Sequence, residues 1–342
     1  MREKLVCTQP FSWCEVHSDG SVFLCCPAWL KAPAGNLLEQ SLEEIWNGPL
    51  AREVRKGVLN GTFHRCGKRC PRLAAGRPPV VDLAEVEDAE VHRALSQGLA
   101  VLPYGLKILN LCFDSRCNLA CPSCRAAPVD KHSSSAAPLL ERILTQCAPQ
   151  VQTLVVAGHG DPFATPTYRA LLQDIHPERW PRLEEIRLHT NGLLWDAATW
   201  RSLENIHVLA REAEISVDAA TPGTYALNRG GDWQQLLTNL RFIATLPLQG
   251  KLSMVVQRNN FREMPSFADL ADSLGFRAYF SQLVNWGTFS REEYRRRAVQ
   301  HPEHPEHGQF LAMLAQVARR HHVDLGNLAP LVNTAALVAL PS

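Results

Sequence analysis

The chain has 342 residues, 46% hydrophobic and 20% charged, with a net charge of +1. That length supports one large or two moderate domains with sizeable cores, and the near-neutral balance excludes a global basic field for nucleic acid or an acidic tail. The segment from Met1 to Trp13 lacks the apolar core of about 7 to 15 residues of a secretory signal, and no stretch approaches the roughly 18 apolar residues of a membrane span, so a cytoplasmic protein with no nucleic-acid or membrane partner is expected.

Eleven cysteines in such a chain point to metal or redox chemistry rather than a disulfide framework. Six come early: Cys7, Cys14, Cys25, Cys26, Cys66 and Cys70. The Asp19-Gly20 pair reads as a hairpin turn, followed by an apolar strand ending at Cys25 and Cys26. Consecutive strand side chains point to opposite faces, so only one of these two can face a shared metal centre. A helix is expected on Leu42, Ile45 and Trp46, and Cys66 and Cys70 form a C-x3-C pair. Four of these thiols suit a zinc staple or an iron-sulfur cluster.

From Ala74 to Pro103, Gly76-Arg77-Pro78-Pro79 and the acidic run at Glu85-Val86-Glu87-Asp88 read as a connector with one short helix. After Tyr104 short apolar runs alternate with helical stretches. The expected strands are Leu106 to Cys112, Thr153 to Ala157, Glu185 to His189, Glu214 to Val217, Leu252 to Gln257 and Ala278 to Leu283. Helices are expected at Ala137 to Cys147, Tyr168 to Ile175, Trp233 to Leu246 and Met264 to Leu274. Such alternation implies parallel βα units.

The first of these strands runs into Cys117-Asn118-Leu119-Ala120-Cys121-Pro122-Ser123-Cys124. Three closely spaced thiolates can hold three corners of a four-iron cluster, leaving the fourth iron open to a small molecule. The next strand leads into Gly158-His159-Gly160-Asp161-Pro162, where glycines permit close approach to the main chain. Later strand ends carry Thr190-Asn191-Gly192, Ser216 with Asp218, Arg229 after Asn228, Gln257, and Trp286. Towards the end, Arg295-Arg296-Arg297 reads as a solvated face. His301, His304 and His307, interleaved with prolines and glutamates, read as an exposed loop rather than a metal site. A helix is expected around Phe310 to Val317, and the apolar tail Leu331 to Leu340 is expected to dock on the core.

The C-x3-C-x2-C spacing resembles the signature of the radical S-adenosylmethionine (SAM) superfamily. Cys7, Gly20 and Cys25, spaced C-x12-G-x4-C, together with Gly35-Asn36 and Glu44-Ile45-Trp46-Asn47, are similar to the SPASM and twitch auxiliary-cluster domains, which usually follow the core rather than precede it. The resemblance implies an α/β fold: a partial (β/α)6 TIM-like barrel with a small N-terminal Cys-rich α+β module. It implies a module over 1–73, a linker over 74–104, the barrel over 105–290 and a helical extension over 291–342. Cys117, Cys121 and Cys124 would hold a [4Fe-4S] cluster with an open iron that binds and reductively cleaves SAM. Cys7, Cys25, Cys66 and Cys70 would hold an auxiliary iron-sulfur cluster, with Cys26 the rival of Cys25. SAM contacts would come from Gly158, Gly160, Asp161, Asn191, Ser216, Arg229 and Gln257. The implied activity is hydrogen abstraction from a ribosomally made peptide during its maturation. Alternatives are a dehydrogenase or epimerase of a sugar or other small molecule, and a non-catalytic iron-sulfur or zinc scaffold. Implied partners are an electron donor such as flavodoxin or ferredoxin and a separate leader-recognition protein.

Overall fold

A computed structural model describes residues 5–67, 70, 72–73, 79–125, 127, 129, 135–156 and 158–332. The expectations for Gly76-Arg77-Pro78, for Ala157 and for the tail from residue 333 on lie outside the described residues. Two compact units are formed, one from Met1–Arg116, Lys131–Arg187 and Asn205–Leu209, the other from Cys117–Asp130, Leu188–Glu204 and Ala210–Ser342.

The first unit contains strands β1 (Leu5–Cys7), β2 (Trp13–His17), β3 (Ser21–Phe23), β4 (Gly35–Asn36), β5 (Val80–Asp82), β6 (Ile108–Cys112) and β7 (Thr153–Val156), and in it begins β8 (Glu185–Thr190). The expected hairpin is present: β2 and β3 pair antiparallel with Glu15 opposite Phe23, and Gly20 closes the turn at φ +84. β2 also lies parallel to β6, with Trp13 opposite Ile108 and His17 opposite Cys112, and β6 is parallel to β7. The helix Leu42–Trp46 starts at a capping box between Ser41 and Glu44 and buries Leu42, Ile45 and Trp46. A second helix, Pro49–Leu59, carries the fully buried Arg55, which donates to the Pro10 carbonyl at 2.8 Å and lies over the Trp46 ring at 4.6 Å.

The connector holds more structure than a linker. β5 pairs antiparallel with β1, and Asp88 caps the helix Ala89–Ser96. Lys107 Nζ donates to both Asp88 and Glu90 at 2.7 Å, tying this segment to the start of β6.

In the second unit, β9 (Ala210–Ser216), β10 (Gln249–Val256), β11 (Arg277–Gln282) and β12 (Val323–Asp324) are each parallel to the next. Helices Trp233–Ile243 and Met264–Ser273 fill the connections as expected. One strand face is apolar, with Ala213, Ile215, Leu252, Met254, Ala278 and Phe280 fully buried, and the Phe267 ring of the helix meets Phe280 at 5.5 Å. β9 begins at Ala210 rather than Glu214. Its charged residues stay on the strand because Lys251 pairs with Glu212 at 3.2 Å and Glu214 at 2.7 Å.

The six strands read from the sequence are thus present as β6 to β11, and the class is α/β. The C-terminal histidines depart from the expected exposed loop. His304 is buried, its Nε2 3.0 Å from the Arg296 carbonyl, and His307 Nδ1 lies 2.8 Å from that of Val299. Both rings bind backbone. No helix among the described residues is long and apolar enough to cross a membrane.

Candidate functional site

The early thiols gather in the first unit. Cys7 ends β1, Cys25 and Cys26 follow β3, and a turn brings Cys66 and Cys70 to them, with Gly67 N donating to the Trp29 carbonyl at 2.6 Å and Cys70 N to that of Gly67 at 2.8 Å. Burial pushes the Cys7 thiol up to about 12, and the neighbouring Cys66 and Cys70 act in the same direction. Cys25 is raised by burial and by Cys7, Cys26, Cys70 and Cys66. Cys26, also raised by burial, is influenced instead by Glu15 and Cys70. Cys25 therefore shares its surroundings with all three of the other expected thiols, whereas Cys26 also faces the β2 side. Mutual repulsion of thiolates is what a bound cation or cluster relieves. Cys14 is fully buried and is influenced by Cys147, as a core residue is.

Also in the first unit, the exit of β6 is braced by residues that the sequence did not single out. Arg116 grips Asp114 with Nε at 3.0 Å and a terminal nitrogen at 2.6 Å, and the same nitrogen reaches Thr167 Oγ1 at 2.9 Å. Burial alone would raise the Asp114 carboxyl, but Arg116 and Thr167 hold it below the usual carboxylate range. The Tyr168 hydroxyl accepts from Asp114 N at 3.0 Å. The Arg116 carbonyl accepts from Asp161 N at 3.0 Å and Thr165 Oγ1 at 2.8 Å.

The three residues expected to meet SAM from the β7 turn have protein partners here. A Cβ on Gly160 would sit 2.3 Å from the Asp114 carbonyl oxygen, and one on Gly158 would sit 2.2 Å from Cys112 Sγ. Asp161, 1% exposed, accepts from the amides of Phe163 at 3.0 Å and Ala164 at 3.3 Å. Its carboxylate caps the following turn.

In the second unit, the loop after β6 holds Cys117 half-buried, Cys121 buried and Cys124 exposed. Asn191, at the turn after β8, donates to Asn118 Oδ1 at 2.8 Å and to Cys117 Sγ at 3.6 Å. The Cys121 thiol donates to the Arg229 carbonyl at 3.8 Å. Burial pushes this thiol up to about 11 although the Arg229 guanidinium opposes it. Arg229 pairs with Asp218 at 3.1 Å. Asp218 is itself in the left-handed region at φ +58, and its carbonyl accepts from Asn228 at 2.8 Å and Asn260 at 3.0 Å. Burial raises the Asp218 carboxyl, and Arg229 opposes this without reversing it. Arg229 Nε is buried with no hydrogen-bond partner among the described residues.

The remaining expected contacts are more dispersed. Ser216 Oγ lies 3.4 Å from Ser253 Oγ, and Gln257 Oε1 accepts from Arg297 at 3.3 Å. Trp286, after the last of these strands, is 55% exposed.

Comparison with known proteins adds one sequence match. Residues 7–71 match the family model of SPASM, an iron-sulfur cluster-binding domain, as expected for the N-terminal module. No curated protein matches the chain. Among solved structures, Streptococcus suis SuiB aligns at 15% identity over 59% of this chain and 45% of its own, with a TM-score of 0.42. SuiB bound to the precursor peptide SuiA aligns at 13% identity over 88% and 68%, with a TM-score of 0.46. Native anSMEcpe with bound AdoMet and Cp18Cys peptide aligns at 16% identity over 64% and 62%, with a TM-score of 0.47. The chain spans 45% and 54% of the first two SuiB structures that it matches, about half of their length.

Proposed function

We propose that this chain is a radical SAM enzyme that modifies a peptide. In this reading Cys117, Cys121 and Cys124 hold a four-iron cluster with one open iron, and Cys7, Cys25, Cys66 and Cys70 hold an auxiliary cluster. One observation carries the reading: the three-cysteine loop, Asn191 and the Arg229–Asp218 pair, drawn from separate strand ends, meet around Cys117 and Cys121 within one compact unit. Three thiolates are a donor set that suits iron-sulfur ligation.

The buried, unpartnered Arg229 Nε supports the fit of an amino-acid-type ligand, since a guanidinium donates readily to a carboxylate. When bound, the cluster with SAM supplies one-electron cleavage of the sulfonium and a carbon radical able to remove hydrogen. The chain's own residues do the positioning. Asp218 orients the Arg229 fork, and Asn191 steadies the Cys117 end of the loop. Gly160 and Asp161 shape the β6 exit and, with Gly158, are the contacts that this turn would offer the ligand. Ser216 and Gln257 are left as hydrogen-bond partners for it.

Two observations support a peptide as the substrate. The N-terminal match is to an iron-sulfur cluster-binding domain, SPASM, and that resemblance implies maturation of a peptide. In the second unit, His189, Glu212 and Glu214 cluster with their ligand atoms within 4.8 Å, beside Lys251. These half-buried side chains bring both signs of charge to one place, a chemistry suited to peptide groups.

The test is anaerobic: reconstituted protein is given dithionite and SAM, and 5′-deoxyadenosine is followed. A deuterated peptide digest and a deuterated pool of non-peptide metabolites are then supplied separately. Deoxyadenosine formation, absent in Cys121→Ala, supports the enzyme, and deuterium entering it from the digest supports the peptide. Deuterium from the metabolite pool alone moves the assignment to a small-molecule dehydrogenase or epimerase. No deoxyadenosine under any reductant leaves a scaffold.

A further inference from the structure

Apart from the thiols assigned above, β2 and β6 bring three metal-ligating side chains of different chemistry to one place. Their parallel register sets Glu15 beside Asn110 and His17 beside Cys112, and the two-residue period of a strand puts all four on one face. Glu15 is 8% exposed, and its Oε1 lies 2.5 Å from His17 Nε2. The ligand atoms of Glu15, His17 and Cys112 all lie within 4.8 Å of one another. Asn110 Nδ2 donates to Glu15 Oε2 at 2.9 Å, fixing the carboxylate with Oε1 turned to His17.

Two further features mark the place as built. Asn110 Oδ1 is buried with no hydrogen-bond partner among the described residues. The turn after β7 closes on the cluster only because residue 158 is glycine, since a Cβ there would stand 2.2 Å from Cys112 Sγ and 3.0 Å from Asn110 Nδ2.

We propose that Glu15 Oε1, His17 Nε2 and Cys112 Sγ form a mononuclear zinc site. Sulfur, imidazole and carboxylate donors together suit zinc, which has no electronic preference among geometries. A carboxylate, a thiolate and a neutral imidazole cancel a double positive charge, so a buried anionic cluster becomes neutral on binding. The Cys112 thiol proton leaves to solvent, His17 binds through Nε2 with its ring proton on Nδ1, and no electron changes hands. Asn110 acts as the outer partner that orients a ligating carboxylate. Three protein ligands leave a coordination position open, and the unpaired Asn110 Oδ1 is an acceptor for a water held there. The site uses none of the seven thiols assigned to iron-sulfur clusters; Cys26, the rival of Cys25, is its neighbouring thiol, acting on Cys112 and acted on by Glu15, and a second sulfur on the zinc would overturn the assignment.

The experiment uses the full chain, reconstituted anaerobically with iron and sulfide, given one equivalent of zinc chloride and passed through gel filtration. Zinc-edge X-ray absorption is expected to show one retained zinc with a single sulfur at about 2.3 Å and nitrogen or oxygen at about 2.0 to 2.2 Å. Four sulfurs would assign the zinc to the Cys7, Cys25, Cys66 and Cys70 set and overturn the proposal, as would no retained zinc. Cys112→Ser and Glu15→Gln are expected to lose zinc retention with iron content unchanged, whereas Cys14→Ser, on the opposite face of β2, keeps it. An unchanged zinc spectrum in Cys112→Ser also overturns the assignment.

Discussion

At Gly160 the main chain sits at φ +79, and a methyl group there would overlap the carbonyl oxygens of Asp114 at 2.3 Å and Arg116 at 2.7 Å. Neither atom can move without disturbing the exit of β6, because the Arg116 carbonyl also holds Asp161 N and Thr165 Oγ1. Gly160→Ala is therefore expected to destabilise the chain by about 2 to 4 kcal/mol, combining the left-handed penalty with overpacking. A urea-midpoint shift equivalent to less than about 1 kcal/mol would contradict that close approach. Asp114 makes a second prediction at the same place. Its folded carboxyl lies below the ordinary value, so its contribution is full above the unfolded pKa and is lost as pH falls through the folded one. Asp114→Asn should cost about 3 kcal/mol at pH 7, since it leaves the Arg116 charge unpaired, and the gap to the parent should narrow as pH drops below about 4. Thermal midpoints measured across that range check the sign; a gap that widens in acid contradicts it.

Strands β9 and β10 show the same competition at the scale of an element. Glu212, Glu214 and Lys251 occupy strand positions whose side chains are half-buried, and Lys251 is the cation that lets both carboxylates stay there. Burial would lower Lys251, but Glu214 and Glu212 raise it; burial would raise Glu214, but His189 and Lys251 hold it below the usual range. Lys251→Met is expected to cost about 2 kcal/mol, between the values of exposed and buried pairs, and Glu214→Gln on that background should return part of it. A neutral Lys251→Met in chemical denaturation would mean that the pairs contribute nothing. The charged pattern is also why β9 begins earlier than the sequence indicated. Glu212 looks like a loop residue until Lys251 on the strand beside it supplies a partner. The apolar alternation of the other parallel strands and the spacing of Cys117, Cys121 and Cys124 are local signals and could be read directly. The parallel pairing of β2 with β6 is not local: it joins Trp13 to Ile108 across the whole N-terminal module, and no turn or period announces it. The same gap hid the Glu15, His17 and Cys112 cluster, and it hid the packing of Gly158 and Gly160 against Cys112 and Asp114 and the capping of backbone amides by Asp161.

Across the whole molecule the two cysteine sets fall in different compact units. Cys7, Cys25, Cys66 and Cys70 lie in the first, and Cys117, Cys121 and Cys124 in the second. Neither set borrows a thiol from the other unit, so two independently assembled clusters are expected. Anaerobic reconstitution should then give about eight irons per chain, with sulfide to match. Replacing Cys117, Cys121 and Cys124 together with alanine should leave about four irons and no deoxyadenosine, because only the auxiliary set remains. Cys66→Ala combined with Cys70→Ala should also leave about four, but SAM cleavage should continue, since the open iron belongs to the other loop. If the product needs an electron withdrawn after hydrogen abstraction, this second variant makes deoxyadenosine without product, and normal product would remove the acceptor role from the auxiliary cluster. Loss of all iron in either variant would contradict independent assembly and make the two units interdependent in cluster loading.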